Sequence, residues 1–216
     1  MLVMTLGPTA AWAEGGELYL ELDSGLEMRR LEYVRSGIAG GGAAAWQWGP
    51  RFGGVLRYGL ADDWLVGAGV TYSWASNNTI KGVTIAGRTG DLLADYSDLS
   101  VPVSVSYLWT RGYSWSALVS FYCNVQYVKW DETALVDPVV RGADGGLVSY
   151  PVALEAPRTW DWSLGLSAAA DWRPWEWLEL RVGPYVELRR AGFNGRNLAF
   201  GVVVAPVVVF GVGPSL

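Results

Sequence analysis

A chain of 216 residues with net charge −5, 51% hydrophobic and 17% charged residues, is long enough for one sizeable domain. It lacks the basic excess that a nucleic-acid partner would need. With 13 Trp and 28 Gly it is apolar and aromatic for a soluble protein, yet no apolar run approaches the ~20 residues of a spanning helix. Histidine is absent and Cys123 is the single cysteine, which excludes an internal disulfide framework, His-based metal sites and a histidine general base.

The first thirteen residues are small and apolar and end in Ala11-Trp12-Ala13, the pattern of a secretory cleavage site without its positive n-region, so 1–13 reads as a truncated signal peptide and 14–216 as one domain. A first strand follows over about 17–29, with Leu18, Leu20, Leu22, Leu26 and Met28 on one face and Glu21, Asp23, Glu27 and Arg29 on the other. A glycine-rich loop over 37–45 leads to the clearest stretch of the chain. There, Trp46, Trp48, Phe52, Leu56 and Tyr58, then Trp64, Val66, Val70, Tyr72 and Trp74, occupy alternate positions without a single charge. Their neighbours, among them Gln47, Arg51, Arg57, Gly67 and Gly69, are polar or small, and period two means two strands joined by the turn at 59–63.

Residues 75–98 read as a long polar connection. A fourth strand carries Leu99, Val101, Val103, Val105, Tyr107 and Trp109 against serines, and a fifth carries Trp115, Ala117, Val119, Phe121, Cys123, Val125 and Tyr127 against Ser116, Ser120, Tyr122, Asn124 and Gln126. Cys123 falls in the apolar series, a place for a packed or lipid-facing thiol rather than a nucleophile. The longest connection, 131–158, is rich in Pro and Gly. A sixth strand sets Trp160, Trp162, Leu164, Leu166 and Trp172 against Asp161, Ser163, Gly165 and Asp171, and a seventh sets Leu178, Leu180, Val182, Val186 and Leu188 against Glu179, Arg181, Tyr185 and Glu187. After a loop at 189–196, the eighth strand, 198–212, is apolar on both faces and its register is open.

Connections are long after strands one, three, five and seven and short after two, four and six. That alternation predicts an all-β, eight-stranded antiparallel up-and-down barrel with both termini on the short-turn rim. An eight-stranded interior cannot hold at least eleven aromatic rings, so the apolar series points outward. Trp46, Trp48, Tyr72, Trp74, Tyr127, Trp160 and Trp162 gather at the long-loop ends, and Tyr58, Trp64, Tyr107, Trp109, Trp115 and Trp172 at the short-turn ends, as two girdles flanking a hydrocarbon band.

The signal-like start, the Tyr58-Gly59-Leu60-Ala61-Asp62-Asp63-Trp64 turn, the eight strands and the girdles together resemble the small bacterial outer-membrane barrels of the OmpA, OmpX and OmpW type, over residues 17–212. The resemblance implies a Gram-negative, porin-like membrane protein with periplasmic termini, membrane lipids and the barrel-assembly machinery as partners, and no cofactor. It also implies a terminal aromatic residue for the assembly machinery, whereas Phe210 here is followed by 211–216.

For the interior, the period-two reading assigns Glu21, Asp23, Glu27, Arg29, Arg51, Arg57, Asp161, Asp171, Glu179, Arg181 and Glu187, with only small and uncharged polar residues from strands three to five. These charges are expected to plug the lumen as salt bridges, the alternative being a narrow polar path or ligand pocket. Arg29, Arg30, Arg35, Arg189, Arg190 and Arg196 gather towards the long-loop rim, where they could meet lipopolysaccharide phosphates. The function so predicted is non-catalytic: structural, binding or surface-interacting. An OmpW-like passive transporter or narrow pore for small or hydrophobic molecules is the alternative.

Overall fold

In the computed structural model, residues 16–34, 42–61, 63–85, 88–110, 114–136, 139–141, 147–149, 152–153, 158–191 and 195–211 are described. They form eight long strands, β1 (Glu17–Val34), β2 (Gly42–Ala61), β3 (Trp64–Ile85), β4 (Arg88–Thr110), β5 (Trp115–Val136), β9 (Arg158–Trp175), β10 (Leu178–Ala191) and β11 (Gly195–Gly211). Three short strands, β6 (Val139–Arg141), β7 (Leu147–Ser149) and β8 (Val152–Ala153), lie between β5 and β9. Each long strand pairs antiparallel with its sequence neighbour, β5 pairing with β9, and β1 pairs with β11, so the sheet closes without a free edge along its body.

The registers fix the dimensions of the barrel. Ladder partners followed once round lead from Tyr19 through Arg57, Gly67, Ser104, Tyr122, Gly165, Glu187 and Ala199 back to β1 at Arg29, ten residues beyond the start. Eight strands with a shear of ten tilt by about 40° around a radius of about 8 Å, and each residue climbs the axis by about 2.5 Å.

The fold is inverted relative to a soluble barrel. Among the described residues, Glu27, Asn124, Ser163 and Glu187 are 0% exposed, while Trp48, Val103, Phe121, Leu166 and Val202 point outward and are half exposed or more. Cys123 is likewise exposed on the outer face. On β11, where both faces are apolar, Ala199, Ala205 and Val207 face inward, and Phe200, Val202, Val204 and Phe210 face outward. Small residues are needed inside because Tyr185 lies against this strand: a Cβ on Gly201 would stand 2.8 Å from its ring.

Several sequence expectations are corrected at the long-loop rim. Residues 75–98 are mostly strand, since β3 and β4 pair as far as Ile85 and Arg88. The connection at 131–158 begins as the end of β5 and contains β6 to β8, and β2 starts at Gly42, inside the expected loop. The loop at 189–196 shrinks because Ala191 pairs with Gly195, and β1 continues to Val34. The hydrophobic alternation ends where the strands leave the apolar band, but backbone pairing goes on without it. The expected signal segment, 1–13, lies outside the described residues.

Candidate functional site

The lumen is built by alternate residues, which the pleat turns inward on every strand. At the short-turn end it is closed by an apolar layer in which Tyr19, Leu65, Leu108, Leu118, Val207 and Val209 pack together with Ala169 against them. Asp63, at the tip of the β2–β3 turn, adopts φ 69°, a left-handed conformation that Asp tolerates, and its carbonyl accepts the Leu108 N–H at 2.8 Å.

Just above this layer lies a first ionic cluster. Arg57 Nε donates to Glu21 at 2.9 Å, and its Nη1 donates to the hydroxyls of Ser104 and Ser106 at 2.9 and 2.8 Å. Arg181 forms a two-pronged pair with Asp171 at 2.7 and 2.8 Å and also contacts Glu21, which ties β1 to β9 through β10. Glu179, level with Val207 of the apolar layer, pairs at the short-turn end with Arg173, whose Nε donates at 2.8 Å, and stands 3.6 Å from Arg181. With Asp23, which is buried beside Glu21 and hydrogen-bonded to it, four carboxyl groups face three guanidinium groups at this end of the lumen.

Six residues further along β1, about 15 Å up the axis, a second cluster forms around Glu27. Its carboxylate meets Arg29 at 2.6 Å, Arg189 at 3.3 Å and Arg51 at 3.4 Å, and accepts the Tyr185 hydroxyl at 2.6 Å. Arg189 also donates to Glu187 and Asp98, each at 2.7 Å, and Ser163 donates to Glu187 at 2.7 Å. Arg51 lies over the Tyr185 ring, 4.8 Å from its centroid, and reaches Glu187 at 3.6 Å. Here three carboxylates, Glu27, Asp98 and Glu187, meet three arginines, Arg29, Arg51 and Arg189.

Close pairing is what makes buried charge tolerable. Each ion loses several kcal/mol of hydration, and only close, hydrogen-bonded counter-charges recover it. Between the two clusters lies a cavity of about 70 Å³, lined among others by Asp23, Pro102, Tyr122, Ser167, Tyr185 and Val203. Its volume suits roughly five water molecules rather than an organic ligand. Asp23 Oδ1 and the Tyr122 hydroxyl, like the side-chain amides of Gln47 and Asn124 nearer the long-loop end, have no hydrogen-bond partner among the described residues.

Ten of the eleven residues assigned to the interior from the sequence are buried. The eleventh, Asp161, is half-buried near the long-loop end, where its Oδ1 accepts the Trp162 N–H at 2.8 Å. Sequence reasoning missed Asp98 and Arg189, both assigned to connections, and Arg173, assigned to a turn. The parity of Asp98 with Ser100 and Pro102, and of Arg189 with Tyr185 and Glu187, was the available signal. With Asp98 inside, strands three to five are not free of charge as expected. Arg29 and Arg189, expected at the rim opposite lipid phosphates, are 1% and 5% exposed and held by Glu27, Asp98 and Glu187. Of that rim set Arg30 is exposed, and the side chains of Arg35, Arg190 and Arg196 lie outside the described residues.

The outer aromatic residues pair across strands at both ends. Trp64 meets Tyr107 edge-on at 5.3 Å and Trp115 stacks on Trp172 at 6.1 Å at the short-turn end, while Tyr127 meets Trp160 at 5.2 Å and Phe52 stacks on Trp74 at 5.7 Å towards the other. Trp46, Trp48, Tyr58, Tyr72, Trp109 and Trp162 are exposed on the same surface. Along β3, Trp64 and Trp74 are ten residues apart, which spans about 25 Å at this tilt and matches the apolar band of outer-membrane barrels. Trp175 and Trp177, which the sequence reading did not place in a girdle, stack at 5.8 Å beyond the short-turn belt.

No family model matches the chain, and no curated protein matches it. Solved structures do. Neisserial surface protein A aligns with a TM-score of 0.53 at 13% identity, over 91% of this chain and 99% of that one. Outer membrane protein OprG of Pseudomonas aeruginosa aligns at 0.49 and 12% identity, over 91% and 97%, and outer membrane protein AlkL at 0.49 and 13% identity, over the whole of both chains. At such identity the first of these likenesses establishes the fold alone: a closed, eight-stranded antiparallel barrel of the small outer-membrane type.

Proposed function

We propose that this chain is an integral protein of a bacterial outer membrane whose barrel is a sealed, non-catalytic anchor, and that its work is done by the strands and connections projecting from the long-loop rim. The carrying observation is the lumen: ionic clusters around Glu21 and Glu27 beside and above an apolar layer, with their carboxyl groups buried and every guanidinium group buried except that of the half-buried Arg173. An ion crossing it would have to break pairs worth several kcal/mol each when one partner is removed. It would then have to pass Leu65, Leu108 and Leu118, which offer no replacement for hydration.

The outer surface supports the membrane setting. The ten-residue separation of Trp64 and Trp74 suits a thin hydrocarbon layer, and β3, β4 and β5 run on for some ten residues past the upper belt, a length that serves presentation outside the membrane rather than spanning it. The outer ends of the first and last strands, Glu17 on β1 and Gly211 on β11, pair with each other at the short-turn rim. In a barrel inserted with its long connections outward, that rim is periplasmic. The absence of histidine from the whole sequence and the pairing of the lumen carboxylates both favour a role without catalysis.

Planar-bilayer recording tests the proposal. The purified, folded protein is expected to insert, shown by its heat-dependent mobility in detergent gels, and to remain electrically silent. Reproducible conductance steps from the wild-type barrel would replace this reading with that of a narrow pore.

A further inference from the structure

Beyond the two girdles stands one aromatic group with its own geometry, the turn Trp175-Glu176-Trp177 between β9 and β10. The two indoles are nearly parallel, at 11° and 5.8 Å between centroids, and are 58% and 57% exposed. Glu176 lies between them at the turn and is exposed. The turn is held from behind by the Arg173–Glu179 pair and by the Val209 N–H donating to the Trp177 carbonyl at 3.0 Å.

Its depth is informative. Trp172 stacks on Trp115 within the short-turn belt, at the edge of the hydrocarbon. Trp175 lies three residues further along β9, about 7 Å beyond. Headgroup layers add roughly 5–7 Å to each side of the hydrocarbon core, so the Trp175–Trp177 pair stands at headgroup depth. What the turn offers there is the negative face of an exposed indole, with an exposed carboxylate on the residue between the two in sequence, and both complement an ammonium ion and disfavour an anion.

We propose that this turn binds the ammonium headgroup of a zwitterionic phospholipid, with the indole face and the Glu176 carboxylate around the cation. The inference rests on the membrane reading above and deepens it. It gives the short-turn rim a lipid preference that an unspecialised Trp belt would not have.

Native mass spectrometry of the detergent-solubilised barrel, titrated separately with phosphatidylethanolamine, phosphatidylcholine and phosphatidylglycerol, tests it. The first equivalent of either zwitterionic lipid is expected to bind about fivefold tighter than phosphatidylglycerol, the scale of one or two exposed cation–π contacts. Glu176→Gln, a change at an exposed position, is expected to remove most of that preference. Trp175→Leu/Trp177→Leu is expected to weaken both zwitterionic lipids and leave phosphatidylglycerol unchanged. Equal binding of all three lipids, a preference for phosphatidylglycerol, or an unchanged preference in Glu176→Gln would overturn the proposal. Insertion into vesicles, measured in parallel by the heat-dependent gel shift, separates the two readings. A wild-type barrel that inserts but does not discriminate removes only the headgroup site, whereas one that fails to insert removes the membrane reading itself.

Discussion

Glu27→Gln is the sharpest probe of the sealed lumen, because it changes one charge at nearly constant volume. Glu27 is 0% exposed and contacts Arg29, Arg51, Arg189 and the Tyr185 hydroxyl within 3.4 Å. Charged hydrogen bonds are worth about 1.5–3 kcal/mol each, but simple addition overshoots, since the three arginines keep Glu187 and Asp98 as partners. The expected loss is that of leaving one buried cation uncompensated, about 3–5 kcal/mol. Equilibrium urea unfolding from detergent or thin vesicles, where it is reversible, measures it. The double variant Glu27→Gln/Arg189→Gln restores the charge balance and should recover at least ~1.5 kcal/mol of the sum of the two single losses, the signature of coupled sites. A single-variant loss below ~1 kcal/mol, or strict additivity in the double variant, would mean that these charges are solvated in an open lumen, and would refute the plug.

Three further outcomes follow from the same geometry. An alanine at Gly165 would place its Cβ 2.2 Å from the Tyr122 ring, so Gly165→Ala should cost about 1–3 kcal/mol, and Tyr122→Ala in the same chain should relieve the clash, by the same unfolding assay. Val103, 58% exposed and midway between the belts on β4, should tolerate Leu but lose about 2–4 kcal/mol as Arg in vesicles, whereas equal stability of the two variants would place this face in water. Cys123, outward on β5, should resist a charged, water-soluble maleimide in vesicles and react once the barrel is unfolded in urea. Fast labelling of the inserted protein would put it on an aqueous surface.

The alternation of Trp46 to Trp74 specifies two strands and their faces without help from the rest of the chain, because the strand period is a local property of the backbone. The same holds for the outward aromatic residues at both ends, and for the eight-strand count, which the alternating connection lengths carry. Which charges meet could not be read in this way. Glu27 on β1 reaches Arg189 on β10, 162 positions away, only because closure with a shear of ten sets their strands at matching heights. Strand length was hidden for a related reason: past the belts the apolar alternation that marks a strand stops, while backbone pairing persists. On β11 both faces are apolar, and the register was decided by the space left beside Tyr185 and the Leu65–Leu118 layer. Local periodicity thus determined the two faces of each strand, while closure of the sheet decided partners and strand ends, since these depend on distances around the whole ring.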